Sequence, residues 1–323
     1  MLTTRQILLW LISIPFLLAL CLLAGSSGFG LPDIGTPTGR ALMELRLSRL
    51  ITGFVVGAAL SCSGCALQAV LRNALAEPYV LGVSSGGSLG AALVISAGLS
   101  SLTPLALPAG AFLGAAGALL LVCLLAGRAS GYMPNTLILT GVVAGSMLSS
   151  LLMLLLSFAQ SRAVHSVTWW LLGNLQATSW PLISCVALLV ALALGLLAFE
   201  ARTLNALLLG LETAHNLGVR TRRAVPVILF AATLAAAAAV AVSGIIGFVG
   251  LIVPHALRRL TGANHRTLLP CAALFGGTFL VVCDTLARTL SAPHEIPVGV
   301  VTALSGGPFF LYLLTRKGRL PLT

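Results

Sequence analysis

A few sets of residues in this chain have the types and spacing that chemistry would need. Gly82-Val83-Ser84-Ser85-Gly86 has the spacing of a nucleophile elbow, with His255 as the candidate base on another segment. That motif requires a strand ahead of the serine. The apolar residues around it suit no strand, and the same spacing serves close helix packing. Only two aspartates occur, Asp33 and Asp284, and Asp33 sits in a polar turn, so no paired-aspartate centre forms. Cys62-Ser63-Gly64-Cys65 has the spacing of a redox or metal pair, but nothing near it supplies an exposed thiolate or further ligands. The five histidines and seven cysteines show no cluster at metal-ligand spacing. A nucleotide-binding P-loop needs Gly-Lys-Ser/Thr, and the one lysine is Lys317, in the tail. The reading is therefore no catalytic residue, no metal site and no cofactor held by this chain.

The elements that would carry such residues are set by composition. Hydrophobic residues make up 58% of the 323 positions and charged residues 8%, with a mean hydropathy of +1.07. A soluble domain carries about a quarter charged residues, so most of this surface must face lipid. A spanning helix takes about 20 apolar residues, and the pattern predicts ten spans near 7–27, 50–71, 80–98, 104–126, 135–158, 180–199, 226–244, 248–260, 268–289 and 297–315. The first run is read as a span rather than a cleaved leader. The eighth is too short to cross alone unless it is tilted or re-entrant. The stretch from Gln160 to Trp180, with Trp169, Trp170 and Trp180, suits a short helix at the membrane interface.

The net charge of +11 reports loop bias in a membrane protein, not nucleic-acid binding. With both termini cytoplasmic, thirteen basic residues fall inside: Arg5, Arg72, Arg128, Arg202, Arg220, Arg222, Arg223, Arg258, Arg259, Arg266, Arg316, Lys317 and Arg319. Five fall outside: Arg40, Arg46, Arg49, Arg162 and Arg288. That asymmetry sets the expected orientation. Glycines recur at i, i+4 in Gly53/Gly57, Gly82/Gly86/Gly90, Gly110/Gly114 and Gly141/Gly145, spacing that lets helix backbones approach closely. The spans hold almost no ionisable groups, which deprives an ion-coupled carrier of its coupling residues. Asp284 and Arg288 stand at i, i+4, read as a structural pair. The segment Ala201–Arg223 leaves the apolar register. It reads as two short helices broken at Gly210 and ended at Gly218, with an apolar stripe of Leu207, Leu211, Ala214 and Leu217. Such a segment either lies on the membrane surface or docks into a partner's groove.

Several longer motifs, in order, resemble one family. They are Leu67-Gln68; Arg72-Asn73-Ala74-Leu75-Ala76-Glu77-Pro78-Tyr79 through Gly86, with alanine at 74 where proline is usual; Leu209-Gly210 to Leu217-Gly218; Gly247 through Pro254-His255; Asp284 to Arg288; and Glu295-Ile296-Pro297-Val298-Gly299. The chain resembles the permease subunits of type II ABC importers for ferric siderophores, haem and cobalamin. The resemblance implies an all-α polytopic membrane protein, a single permease domain over 1–323. Two copies, a homodimer in the simplest case, would form a bundle of about twenty spans with a central axial pathway. It implies two cytosolic ATPase subunits that hold ATP and Mg, an extracytoplasmic substrate-binding protein, and a place in the bacterial inner membrane. Ala201–Arg223 matches the coupling helices, with Leu209, Gly210, Leu211, Ala214, Leu217 and Gly218 facing the ATPase. Arg46, Arg49 and Arg288 match positions that meet acidic residues of the binding protein. Asn73, Leu75, Pro134 and Asn135 match cytoplasmic gates. The alternative from a different class is an ion-driven carrier or passive pore that needs no ATPase.

Overall fold

A computed structural model describes residues 4–25, 28–130, 132–175 and 178–315. Ten helices take the ten expected stretches: α1 (Thr4–Leu23), α2 (Pro37–Val70), α3 (Val83–Ser96), α4 (Ala106–Ser130), α5 (Pro134–Phe158), α7 (Trp180–Phe199), α10 (Thr221–Ser243), α11 (Val249–Thr261), α12 (His265–Thr289) and α13 (Val298–Thr315). Between them lie α6 (Ser161–Leu171), in the tryptophan-bearing stretch, and α8 (Ala201–Leu208) and α9 (Leu211–Asn216), in the polar segment. Six of the ten are long and apolar enough to cross a bilayer by themselves. The fold is an all-α polytopic membrane bundle. Of the basic residues used to orient it, Arg316, Lys317 and Arg319 lie outside the described residues, as does the side chain of Arg5.

Some boundaries differ from the sequence expectation. Helix α2 begins at Pro37, not near 50, because Thr36 caps it by accepting the Gly39 N–H and Pro37 opens its first turn. Its 34 residues reach about 51 Å at 1.5 Å per residue, against a hydrocarbon core of about 30 Å. Arg40, Arg46 and Arg49 therefore ride on a helix and not in a loop. Thr221, Arg222 and Arg223 belong to α10 rather than to the polar connection.

The short helices α3 and α11 each continue from non-α-helical backbone. A 3₁₀ turn at Pro78–Leu81 leads through Gly82 into α3, and residues 244–248 lead into α11. In a membrane such backbone is tolerated only where protein supplies its hydrogen bonds. Here side chains of the first segment satisfy the backbone of the second. The Tyr79 hydroxyl donates to the Ile246 carbonyl at 2.7 Å and accepts from the Ile246 N–H at 2.8 Å. The Glu77 carboxylate accepts from the Phe248 N–H at 3.4 Å.

Glycine packing fixes the helix pairs. A Cβ on Gly57 would lie 2.2 Å from the Gly276 carbonyl of α12, and one on Gly86 would lie 2.3 Å from the Gly114 carbonyl of α4. The α2/α12 and α3/α4 backbones thus touch, as i, i+4 glycine spacing requires. One contiguous core runs through α2, α4, α5, α7, α8 and α10 to α13. The α5 face with Leu139, Met147, Met153 and Phe158 is exposed.

Candidate functional site

The elbow spacing is preceded by a 3₁₀ turn and Gly82, not by the strand a nucleophile elbow needs. Ser84 lies in the first turn of α3, where its carbonyl accepts the Ser88 hydroxyl at 2.8 Å. His255 is buried and sits edge-on to the Phe309 ring. Cys62 and Cys65 are buried free thiols, and Cys62 donates to the Leu269 carbonyl at 3.4 Å.

The polar segment folds as two helices with a break at Gly210, as its sequence indicates. Gly210 adopts φ 113° and ψ 156°, a region open essentially to glycine. Gly218, at φ 89°, closes α9 with a pair of bonds: its N–H reaches the His215 carbonyl at 2.9 Å, and the Val219 N–H reaches the Ala214 carbonyl at 3.0 Å. This is a Schellman cap. The expected outward apolar stripe is not continuous. Leu207 and Ala214 turn into the chain's own core, and Leu211 is half-buried. Leu209 and Leu217 face out, 54% and 64% exposed. With Glu212, Thr213 and His215, also exposed, they form the surface this element offers. The stripe divides because α8 must also anchor to the bundle, and its apolar side does so.

The gate residues split into two groups. The Asn73 side chain accepts the Leu75 N–H at 2.9 Å, an Asx turn that shapes the loop after α2. Leu75 is 38% exposed. Pro134 and Asn135 open α5, Asn135 exposed. The structure adds a contact between the first gate loop and the coupling turn. A Cβ on Gly210 would lie 3.4 Å from Arg72 Nη1.

The three arginines stand near the opposite end of α2 and α12, and all are engaged within the chain. Arg46 is 8% exposed. Its Nη1 donates to the carbonyls of Gly30 at 2.8 Å and Leu23 at 3.1 Å, gathering the α1–α2 connection around one guanidinium. Arg49 binds Asp284 through Nε at 3.0 Å and Nη2 at 2.9 Å, and Glu295 through Nη1 at 2.8 Å. Arg288, 5% exposed, pairs with the same Asp284 at 3.1 Å. The expected i, i+4 pair is thus one edge of a cluster that joins α2, α12 and the loop before α13. Glu77, in the loop after α2, is held up at about 6 by burial, with the Phe248 N–H working against that shift.

Several polar residues make contacts that the sequence did not indicate. Gln68 donates to the Gly250 carbonyl at 2.9 Å and accepts from Arg258 Nη1. Asn205 of α8 accepts from the His265 N–H at 2.8 Å. For Gln68 a polar side chain in an apolar run was the available signal, and for Asn205 there was none; their partners lie 60 or more positions away.

Residues 10–316 match the FecCD transport family. This chain belongs to that family. It is 41% identical over 291 residues to the cobalamin import system permease protein BtuC of Halobacterium salinarum, covering 90% of this chain and 76% of that one. It is 41% identical over 280 residues to the haemin transport system permease protein HmuU of Yersinia pestis, covering 85% and 83%. A solved structure described as an inward-facing metal-chelate type ABC transporter superposes with a TM-score of 0.87 at 32% identity, covering 98% of this chain and all of that one. The chain is a multi-pass membrane transport permease, as the resemblance implied.

Proposed function

We propose that this chain is the permease subunit of a binding-protein-dependent ABC importer for an iron chelate, haem or corrinoid. The family match over nearly the whole length carries the reading. The relatives named for cobalamin and haemin give the cargo class. No residue of the chain does covalent chemistry. ATP and Mg belong to two cytosolic ATPase subunits, which grip α8 and α9 around Gly210 with Leu209 and Leu217 as the exposed contacts. Both termini lie on that side of the bacterial cytoplasmic membrane. A second, identical copy completes the axial pathway. Asn73, Leu75, Pro134 and Asn135 border its cytoplasmic mouth, and the face around Arg46, Arg49 and Arg288 receives the binding protein.

Reconstitution into liposomes tests this reading. Uptake is expected only with the ATPase and ATP, and Leu209→Asp with Leu217→Asp should abolish co-purification of the ATPase. Both leucines are exposed, so the bundle itself should survive the change. Uptake that persists without ATPase or nucleotide would establish the ion-driven or passive alternative instead. For docking, charge reversal at Arg49 should weaken capture of the binding protein, less so at high salt. Affinity that does not change would remove Arg49 from the docking face.

A further inference from the structure

Helix α12 touches both working ends of the molecule. At one end the Asn205 side chain of α8 holds its first turn. The Asn205 carbonyl oxygen accepts the His265 N–H and lies 2.8 Å from His265 Nδ1, and its amide donates to Asn264 Oδ1 at 2.9 Å. Asn264 is the N-cap of α12 and accepts the Arg266 N–H at 3.1 Å. His265 is fully buried. Nineteen positions along, about 28 Å at 1.5 Å per residue, Asp284 binds Arg49 and Arg288. Between these ends α12 lies backbone-to-backbone against α2 at Gly57 and Gly276. The Arg49–Asp284 bonds tie the pair at one end, and the glycine contact brings the two backbones together in the middle. Pro270 stands in the second turn. The stretch beyond it, Cys271 to Thr289, is unbroken helix.

We propose that Asn205 fastens α8 to α12 so that α12, locked to α2, acts as a strut carrying the nucleotide state of the ATPase to the Arg49–Asp284–Glu295 face. This rests on the importer reading above and adds the residues that transmit the signal. Coupling between two sites is reciprocal, so nucleotide should change binding-protein affinity through this strut, and binding protein should change nucleotide affinity by the same factor. Asn205 is a positioning residue, since it acts through α12.

The test uses the complete complex of permease, ATPase and binding protein in nanodiscs. The affinity for fluorescent, cargo-free binding protein is measured with ADP and with AMP-PNP. The intact complex should show a nucleotide-dependent change of about fivefold or more, the lower range of allosteric coupling. Asn205→Ala should bring the ratio to about one while the complex still assembles. Asn205→Ser, which keeps a polar group too short to reach His265, should do the same. Hydrogen exchange of residues 284–296 gives a second readout: it should respond to nucleotide in the intact complex and lose that response in both variants. An intact complex that binds no ATPase defeats the importer reading. An intact complex that responds to nucleotide, with both variants responding equally, defeats the strut alone.

Discussion

At the scale of single residues, the informative groups are charges that the fold has placed inside. Asp284 is 2% exposed and faces two guanidinium groups. Removing one member of a buried ion pair leaves uncompensated charge and costs about 3–5 kcal/mol. Asp284→Ala strips Arg288 of its carboxylate and leaves Arg49 with Glu295 alone, so a marked fall in melting temperature in detergent is expected. An unchanged melting curve would show the cluster to be energetically idle. Glu77 tests the opposite sign. Its folded value, about 6, lies above the ordinary carboxylate range. It therefore contributes stability that is fully present below the unfolded value and is lost as pH rises through the folded one. At neutral pH the half-buried carboxylate is a cost of about 1 kcal/mol. Glu77→Gln still offers an oxygen to the Phe248 N–H. It should raise the melting temperature at pH 7.5 and flatten its decline between pH 4.5 and 7. A parallel pH profile in mutant and parent would rule this out.

At the scale of elements, glycines decide two junctions for different reasons. Gly210 needs backbone angles that a side chain resists, about 1–3 kcal/mol for a residue forced there, although a Cβ would meet Arg72 only at ordinary contact distance. Gly210→Ala should leave the helix bundle folded yet reduce ATP-dependent uptake several-fold, because it re-aims α9 against α8. Full uptake in this variant would contradict the proposed coupling role of the turn. Gly57 instead serves closeness. Any Cβ there meets the Gly276 carbonyl, so Gly57→Leu must part α2 from α12 and should yield little monodisperse protein. Recovery of wild-type elution would mean the two helices have another way to pack.

At the scale of the whole molecule, one core joins nearly all the spans. Such a bundle should unfold as a unit. Tryptophan emission reports Trp169, Trp170 and Trp180 at the α6 and α7 end together with Trp10 in α1. A thiol-reactive dye, added after Cys185, Cys123 and Cys271 are replaced by serine, reports the buried Cys21, Cys62, Cys65 and Cys283. The two thermal transitions should coincide, as a two-state change requires. Separated midpoints would mean that parts of the bundle melt independently.

Much of this architecture was legible before any coordinates. Lipid is a uniform solvent that fixes span length, so the ten apolar runs, the α6 stretch with its tryptophans and the break at Gly210 could be read along the chain. The motifs from Leu67 to Gly299 likewise pointed to the permeases of type II chelate importers, and the chain belongs to the FecCD transport family. What the sequence could not decide is which side of each helix meets which neighbour. Arg46 and Arg49 look like free outer charges in one dimension and Arg288 like half of a local pair, yet all three are drawn in, onto Leu23, Gly30, Asp284 and Glu295. Ala214 looks like a surface contact and is buried. The reason is physical: hydrophobicity is a property of local composition, whereas an ion pair such as Arg49–Asp284 spans 235 positions and exists only once helix crossings have brought its ends together.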